Sequence, residues 1–340
     1  MYERDFFSFG RCEVHLPFRE DVFLLLSPEN FLFINNRPDK VIICEDIEVL
    51  DNNKKIKVRG ISLDGLTLRR IILPHLSDNF VRMSNMQASE IMYGFVERQC
   101  ITPHDAYRKM ENLEISRIPG TGIRTNWRAT FDTKLSECLY QIGVFSGLGY
   151  QITADLNTEK LIFKVLEGRN LSTEQRVNPP VIFSLDYDNL LESSYKQENG
   201  TAKNAVYAVS GNLEQNLHMV HVSRNTAVSG ISLKEECLKL NAGSFEELEL
   251  ESRRYLEALN PKSSISANIK DTASFAYEKD FDLGDIVTVV HKSAKKIMHE
   301  RITKITEVYE QGHVRLLATF GLEGNSFSQR IENIERKVRF

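Results

Sequence analysis

Two stretches near opposite ends of the chain carry the same pattern of β-structure. The first runs Leu26-Ser27-Pro28-Glu29-Asn30-Phe31-Leu32-Phe33-Ile34, then Ile47-Glu48-Val49-Leu50, an Asp51-Asn52-Asn53 turn, and Ile56-Lys57-Val58-Arg59-Gly60. The second runs Phe281-Asp282-Leu283-Gly284-Asp285-Ile286-Val287-Thr288-Val289, then Ile305-Thr306-Glu307-Val308, a Glu310-Gln311-Gly312 turn, and Val314-Arg315-Leu316-Leu317. Each is a strand launched from a turn, an excursion, and a hairpin whose solvent side is marked by charge. A chain holding two copies of a small β unit is suited to surround an axis when it oligomerises.

The 340 residues suffice for two or three domains, and 41% hydrophobic with 26% charged residues is the composition of a folded chain. A net charge of −4 argues against a basic nucleic-acid-binding surface. The cysteines at 12, 44, 100, 138 and 237 are odd in number and show no CxxC spacing, as expected of reduced thiols in a cytoplasmic product. No stretch approaches the roughly 20 apolar residues of a membrane helix. The run Val22-Phe23-Leu24-Leu25-Leu26 is short, follows Glu20-Asp21, and lies too far from the N-terminus for a signal peptide.

Residues 1–92 read as mostly β, with Val41-Ile42-Ile43-Cys44 as a buried strand and alternating Lys55 to Arg59 as a half-buried one. From 93 onward the character changes. Asp132 is placed to cap a helix whose apolar residues Leu135, Cys138, Leu139, Ile142 and Phe145 form one stripe, with Gly147 ending it. A hairpin follows, Tyr150–Thr153 with Leu161–Val165. Asn178-Pro179-Pro180 marks a joint, and strands are expected at 191–196 and 205–209. A second helix starts at Ser244 with Glu247 in a capping box and apolar Leu248, Tyr255, Leu256 and Leu259; Asn260-Pro261 stops it before an alternating strand at 264–269. Residues 326–340, with Ile331, Ile334, Val338 and Phe340, fit a short amphipathic helix.

Catalytic signatures are scarce. His218 and His221 stand three apart in a segment that reads as a strand, where such a pair points to opposite faces, and no HExxH accompanies them. Gly120-Thr121-Gly122 and Gly147-Leu148-Gly149 lack the third glycine or Gly-Lys-Ser/Thr of a nucleotide loop, so they read as turns. Glu246-Glu247 and Glu235-Glu236 read as solvated acidic faces. The sole tryptophan, Trp127, sits between Arg124 and Arg128; arginine and tryptophan are enriched where proteins meet, and the acidic chain favours that reading over stacking on a base or sugar. Neither a cofactor nor a metal is expected.

Several segments, in order, resemble the tail-hub (baseplate-hub) proteins of long-tailed phages, prophages and phage-like particles. They are Glu13-Val14-His15-Leu16-Pro17; Val58 to Ile71, similar to a G-x-x-x-x-x-L-L-x-x-R stretch; Phe145-Ser146-Gly147-Leu148-Gly149-Tyr150; Asn178-Pro179-Pro180-Val181-Ile182-Phe183-Ser184; Asp188 to Tyr195 followed by Lys203-Asn204; and Leu283-Gly284-Asp285-Ile286-Val287. The resemblance implies an α+β, mainly β fold: two β-barrel-like tube domains (1–92; 181–230 with 272–325), two smaller mixed α/β domains (93–180; 231–271), and the terminal helix. It implies a homotrimeric, pseudo-hexameric ring joining the tail tube to a central spike or tip. The implied partners are further copies of itself, a tail tube or distal tail protein, a tape-measure protein and a spike or tip protein, with DNA only as passing cargo and no membrane insertion. The implied location is the virion or particle baseplate. Because the chain ends shortly after its last strands, no appended hydrolase domain is expected, and the role is structural rather than enzymatic. Phe31, Ile286, Trp127, Arg124 and Arg128 are the expected contact residues. The competing readings are a cell-wall hydrolase, for which no paired-carboxylate or metal spacing is visible, and a glycan- or receptor-binding tail protein, encouraged only by Trp127 and Tyr150.

Overall fold

The computed structural model describes residues 1–50, 54–75, 80–131, 133–212, 215–225, 228–240, 242–270, 275–310 and 312–322. The Asp51-Asn52-Asn53 turn, Asp132, Gln311 and the expected terminal helix at 326–340 lie outside them. The chain divides into two compact units. One holds Met1–Ser193 and Ser266–Phe320; the other is built on Ser194–Ile265.

The first unit opens with β1 (Tyr2–Asp5), β2 (Arg11–Pro17), a six-residue helix α1 (Glu20–Leu25), β3 (Phe31–Phe33), β4 (Val41–Leu50) and β5 (Lys55–Ser62). There follow β6 (Phe80–Gln87), α2 (Ala88–Val96), a π-helical turn (Glu97–Ile101), β7 (Leu113–Ser116), β8 (Arg124–Thr130), α3 (Leu135–Ser146), β9 (Gly149–Asp155), β10 (Lys160–Leu166) and β11 (Ile182–Ser184). The chain leaves along β12 (Leu190–Glu198) and returns along β16 (Lys262–Ile269), and the unit finishes with β17 (Ile286–His291), β18 (Lys296–Glu310) and β19 (His313–Gly321). Between them lie β13 (Ala205–Asn212), β14 (Gln215–Ser223), β15 (Glu235–Lys239) and α4 (Phe245–Ala258).

Local chemistry explains most of these elements. The apolar stripe of α3 is buried at Leu135, Cys138, Leu139 and Ile142, and Gly147 (φ 74°) ends the helix with its N–H donating to the Gly143 carbonyl at 2.8 Å. Its N-cap position is Lys134, with no side-chain cap. The hairpin expected after it is β9–β10, and β7 adds in parallel to β10. In the second unit the Ser244 hydroxyl caps α4 by accepting from Glu247 N–H at 3.2 Å, and the Glu247 carboxylate accepts from Gly243 N–H at 2.8 Å. Leu248 and Leu256 of α4 are buried against Val206, Ala208, Val220 and Val222 of the β14-β13-β15 sheet. His218 and His221 lie on β14, and the His221 ring stacks on Tyr207 at 4.6 Å.

The two echoing stretches are a true duplication of hydrogen-bonding pattern. In the first, the strand order is β3-β4-β5-β2; in the second it is β17-β18-β19-β16. Corresponding strands come in the same order along the chain. The equivalence reaches single bonds. Glu29 N–H donates to the Cys44 carbonyl and Cys44 N–H to Asn30; Gly284 N–H donates to the Ile302 carbonyl and Ile302 N–H to Asp285, all at 2.8–3.0 Å. A bulge follows in each, between Cys44 and Asp46 and between Ile302 and Lys304. The expected alignment slips in the last strand. Val49 faces Ile56, whereas its counterpart Glu307 faces Leu316, because the second hairpin has two more residues beyond the common register. So Ile56 corresponds to Leu316 rather than Val314.

The two copies, expected in β-barrel-like domains, are not closed into barrels. They belong to one open sheet running β12-β16-β19-β18-β1-β2-β5-β4-β3, with β17 and β11 branching from β18. The reason is β1. It pairs with β18 from Tyr2↔Glu307 to Asp5↔Lys304 and meets β2 at Tyr2↔Cys12. A strand inserted between the copies welds them edge to edge, so neither curls back on itself.

Candidate assembly surface

Residues 1–10, 37–40 and 277–309 meet in a buried charged cluster that fixes this join. Lys40 Nζ lies 2.6 Å from Glu307 Oε1 and 2.9 Å from Glu278 Oε1, and both Lys40 and Glu307 are almost wholly buried. Tyr277 donates to Glu307 at 3.1 Å, and Tyr309 donates to its other oxygen. Arg4 donates to Tyr277 at 2.9 Å and to Asp282 at 2.8 Å; Arg37 pairs with Asp39 and Glu278. Charges removed from water need such multiple partners, since each unpaired one would cost several kcal/mol.

Phe6, fully buried just after β1, is the packing counterpart. A Cβ on Gly284 (φ 91°) would lie 2.2 Å from its ring, and one on Gly149 would lie 2.4 Å from its carbonyl oxygen, so both positions demand glycine. The Arg301 guanidinium sits 4.9 Å from the ring centroid. Beside Gly284, buried Asp285 accepts Arg169 N–H at 2.7 Å and the Arg169 guanidinium through both oxygens. Leu283-Gly284-Asp285 is thus a steric and ionic requirement of this corner. Arg169 had no signal in sequence, because its partner is remote.

Two buried carboxyls lie nearby. Burial pushes Asp64 up to about 7, although Ile152 N–H at 2.5 Å and the Ser62 hydroxyl at 2.9 Å donate to it. Burial likewise raises Asp5 to about 6, against the pull of Lys304. On the surface, hydrogen bonds from His15 and Lys57 hold Glu13 down at about 2. Among the described residues no group of three or more His, Cys, Asp or Glu is placed to hold a metal ion, and no helix is long and apolar enough to cross a membrane. The five cysteines are unpaired.

The edges of the two copies differ. In the second copy β11 covers the outer edge of β17 in parallel register, Ile182↔Thr288 to Ser184↔Val290, and β1 covers the upper half of β18. In the first copy, no strand among the described residues pairs with the outer edge of β3 or with Asp46–Leu50 of β4 on that side. Next to this edge, α1 buries none of its residues. Leu24 and Leu25 are 75% and 76% exposed, and Phe18, Phe23, Phe31 and Val49 are exposed with them. Each such leucine forgoes roughly 1.5–3 kcal/mol of burial. Here an open strand edge with unpaired backbone groups lies beside exposed phenylalanine and leucine.

The sequence-expected contact residues are dispersed. Phe31 lies on this open edge, and Ile286, its counterpart at the start of β17, is half-buried behind the Asn170 bridge. Trp127 is only 8% exposed and packs on Phe145 at 5.9 Å, inside the core rather than on a face. Strand alternation puts Arg124 and Arg128 on the opposite side, with the Arg128 guanidinium 3.9 Å from the Phe80 ring centroid. Leu24 and Leu25 went unassigned because the Val22–Leu26 run was weighed only as a membrane or signal segment.

Comparison with known proteins places the architecture. No curated protein matches the sequence. Among solved structures, the chain is similar to a tail protein from Neisseria meningitidis (9% identity, 95% of this chain and 91% of that one, TM-score 0.56). It is also similar to the 43 kDa tail protein of prophage MuSo2 from Shewanella oneidensis (10%, 94% and 92%, 0.54) and to prophage tail protein gp18 from Listeria monocytogenes (11%, 100% and 92%, 0.53). The family model described as Siphovirus ReqiPepy6 Gp37-like protein matches residues 1–322. With a fold shared with prophage tail proteins and that match over nearly its whole length, the chain belongs to the Siphovirus ReqiPepy6 Gp37-like family.

Proposed function

We propose that the protein is a structural component of a phage tail or phage-like particle, a baseplate or tail-tip hub whose three copies form a ring of pseudo-sixfold symmetry. The observation that carries this reading is the duplicated four-strand module: three chains supply six such modules. One module has its edges completed within the chain, while the other offers β3, Asp46–Leu50 and the α1 leucines to a neighbour. The tube-forming segments are then 1–92 and 181–230 with 272–325, the mixed ones 93–180 and 231–271, and Phe31, Arg124, Arg128 and Ile286 lie on or beside the contacts, with Trp127 supporting from beneath. The ring would sit between a tail tube or distal tail protein and a central spike or tip, with the tape-measure protein and DNA passing through. Its work is interface geometry rather than bond chemistry.

Light scattering on the purified chain tests the proposal. A species of three times 39.0 kDa is expected, and Leu24→Glu with Leu25→Glu is expected to return it to monomer with an unchanged melting profile. A wild-type monomer at every concentration would refute the self-assembling ring.

A further inference from the structure

Away from that edge, a cavity of about 540 Å³ opens between β6, the π-helical turn and the segment before β6. Its volume lies in the range of small-molecule sites and is far too small for a nucleic-acid duplex. Leu73, Pro74, Phe80 and Val81 give its lining apolar surface. Arg82, Arg98, His75, His104, Gln99 and Thr102 give it cationic and polar groups. The two imidazole rings meet edge to face at 5.0 Å. In a chain with more acidic than basic residues, no carboxylate among the described residues lines this cavity. Arg98 makes no ion pair among the described residues, and Arg82 and Arg128 bring their guanidiniums within 5.3 and 3.9 Å of the Phe80 ring centroid.

The lining is built, not incidental. Gln99, 1% exposed, accepts Leu73 N–H at 3.0 Å and the Arg108 guanidinium at 3.1 Å, and donates to the Leu73 carbonyl at 3.1 Å. Arg108 also donates to the Ile71 carbonyl at 2.8 Å. These bonds clip the segment carrying His75 to the turn carrying Arg98. Turns of π-helix are rare and concentrate at functional sites, because the extra residue re-aims neighbouring side chains. Here it sets Arg98 and Gln99 next to each other, one outward and one inward.

We propose that this cavity binds a phosphate ester of a small polyol or sugar, with Arg98, His75 and His104 around the phosphate and Phe80 with Pro74 against the carbon skeleton. Arg98, His75 and His104 line the cavity from three points of the chain, and the three or four oxygens of a phosphate, spread tetrahedrally, can meet all three where a planar carboxylate favours a single bidentate guanidinium. The apolar surface suits a short carbon chain.

Calorimetry on the full chain, with glycerol 3-phosphate, glycerophosphoglycerol, inorganic phosphate and acetate in turn, tests it. Glycerol 3-phosphate is expected to bind, more tightly than inorganic phosphate, and acetate not to saturate. Arg98→Ala, and His75→Ala with His104→Ala, are each expected to weaken it about tenfold or more, with Arg98→Lys intermediate. All these residues are exposed, so the variants should melt as the parent does. Tighter binding of glycerophosphoglycerol would identify the unit of a phosphodiester polymer, tighter binding of glycerol 3-phosphate a free monoester. Absence of saturable binding by either at millimolar concentration, or binding unchanged in the Arg98→Ala protein, would overturn the site. So would a duplex oligonucleotide that outcompetes both and loses affinity in the same variants, since the groups would then be a nucleic-acid surface.

Discussion

The β2–β5 and β16–β19 modules share strand order, bulge position and the paired hydrogen bonds at Cys44 and Ile302, yet their surroundings are opposite. Around β18, covering strands have made charge burial necessary, and Glu307 lies among Lys40, Tyr277 and Tyr309. Its counterpart Val49, on β4, is exposed to solvent. The residues two before β3 and β17 make the same point. Gly284 and Glu29 both adopt left-handed backbone, at 91° and 73°. Against Phe6 only glycine fits, while in the open module a glutamate reaching Arg69 is tolerated. A duplicated backbone therefore keeps its geometry while its side chains follow what covers each copy.

Breaking the covered module should have the largest effect. Lys40→Met leaves Glu307 buried without its cation and is expected to cost on the order of 3–5 kcal/mol in denaturant titration. A comparable substitution on the open side, Glu48→Met, should stay within about 0.5 kcal/mol. Gly284→Ala is expected to cost on the order of 3 kcal/mol, from a Cβ inside the Phe6 ring and a left-handed backbone. An unchanged denaturation midpoint would show that Phe6 is free to move aside.

Acid should sharpen the contrast. Asp64 takes up its proton near pH 7 when folded and near 4 when unfolded, so across that window the native state holds the extra proton. Stability contributed by protonated Asp64 is therefore present at the acid end and lost as pH rises toward and past 7, by at most about 1.4 kcal/mol per pH unit. Asp5, raised to about 6, acts in the same direction, and Arg4, which favours the charged form of Asp64, opposes it. Melting temperature is expected to fall from pH 5 to pH 8, and Asp64→Asn to flatten most of that slope. The smallest effect is Glu29→Gly, where relief of left-handed strain and loss of the exposed Arg69 pair nearly offset, giving a gain of about 0.5 kcal/mol at most.

Much of this was legible locally. The stripe and Gly147 stop of α3, the Ser244–Glu247 cap of α4 and the β9–β10 hairpin follow from periodicity and capping chemistry within a dozen residues. α2 was missed because Ala88–Val96 is buried on nearly every side, so no polar face marks its period. Trp127 was read as a contact from its arginine neighbours, but strand alternation turns it into the core while they face out. Of the candidate edge, Phe31 was legible; Leu24 and Leu25 needed the knowledge that α1 packs through Val22 and turns these two leucines to solvent.

By itself the sequence determined most strands of the two β modules and the helices α3 and α4, because those rest on neighbours a few residues apart. Only the tertiary structure decided that β1 would weld the modules into one open sheet, that Lys40 would meet Glu307 across 267 residues, and that one module would be covered while the other stayed bare. Those outcomes depend on which edges and charges the folded chain brings together, and local propensity does not encode that pairing.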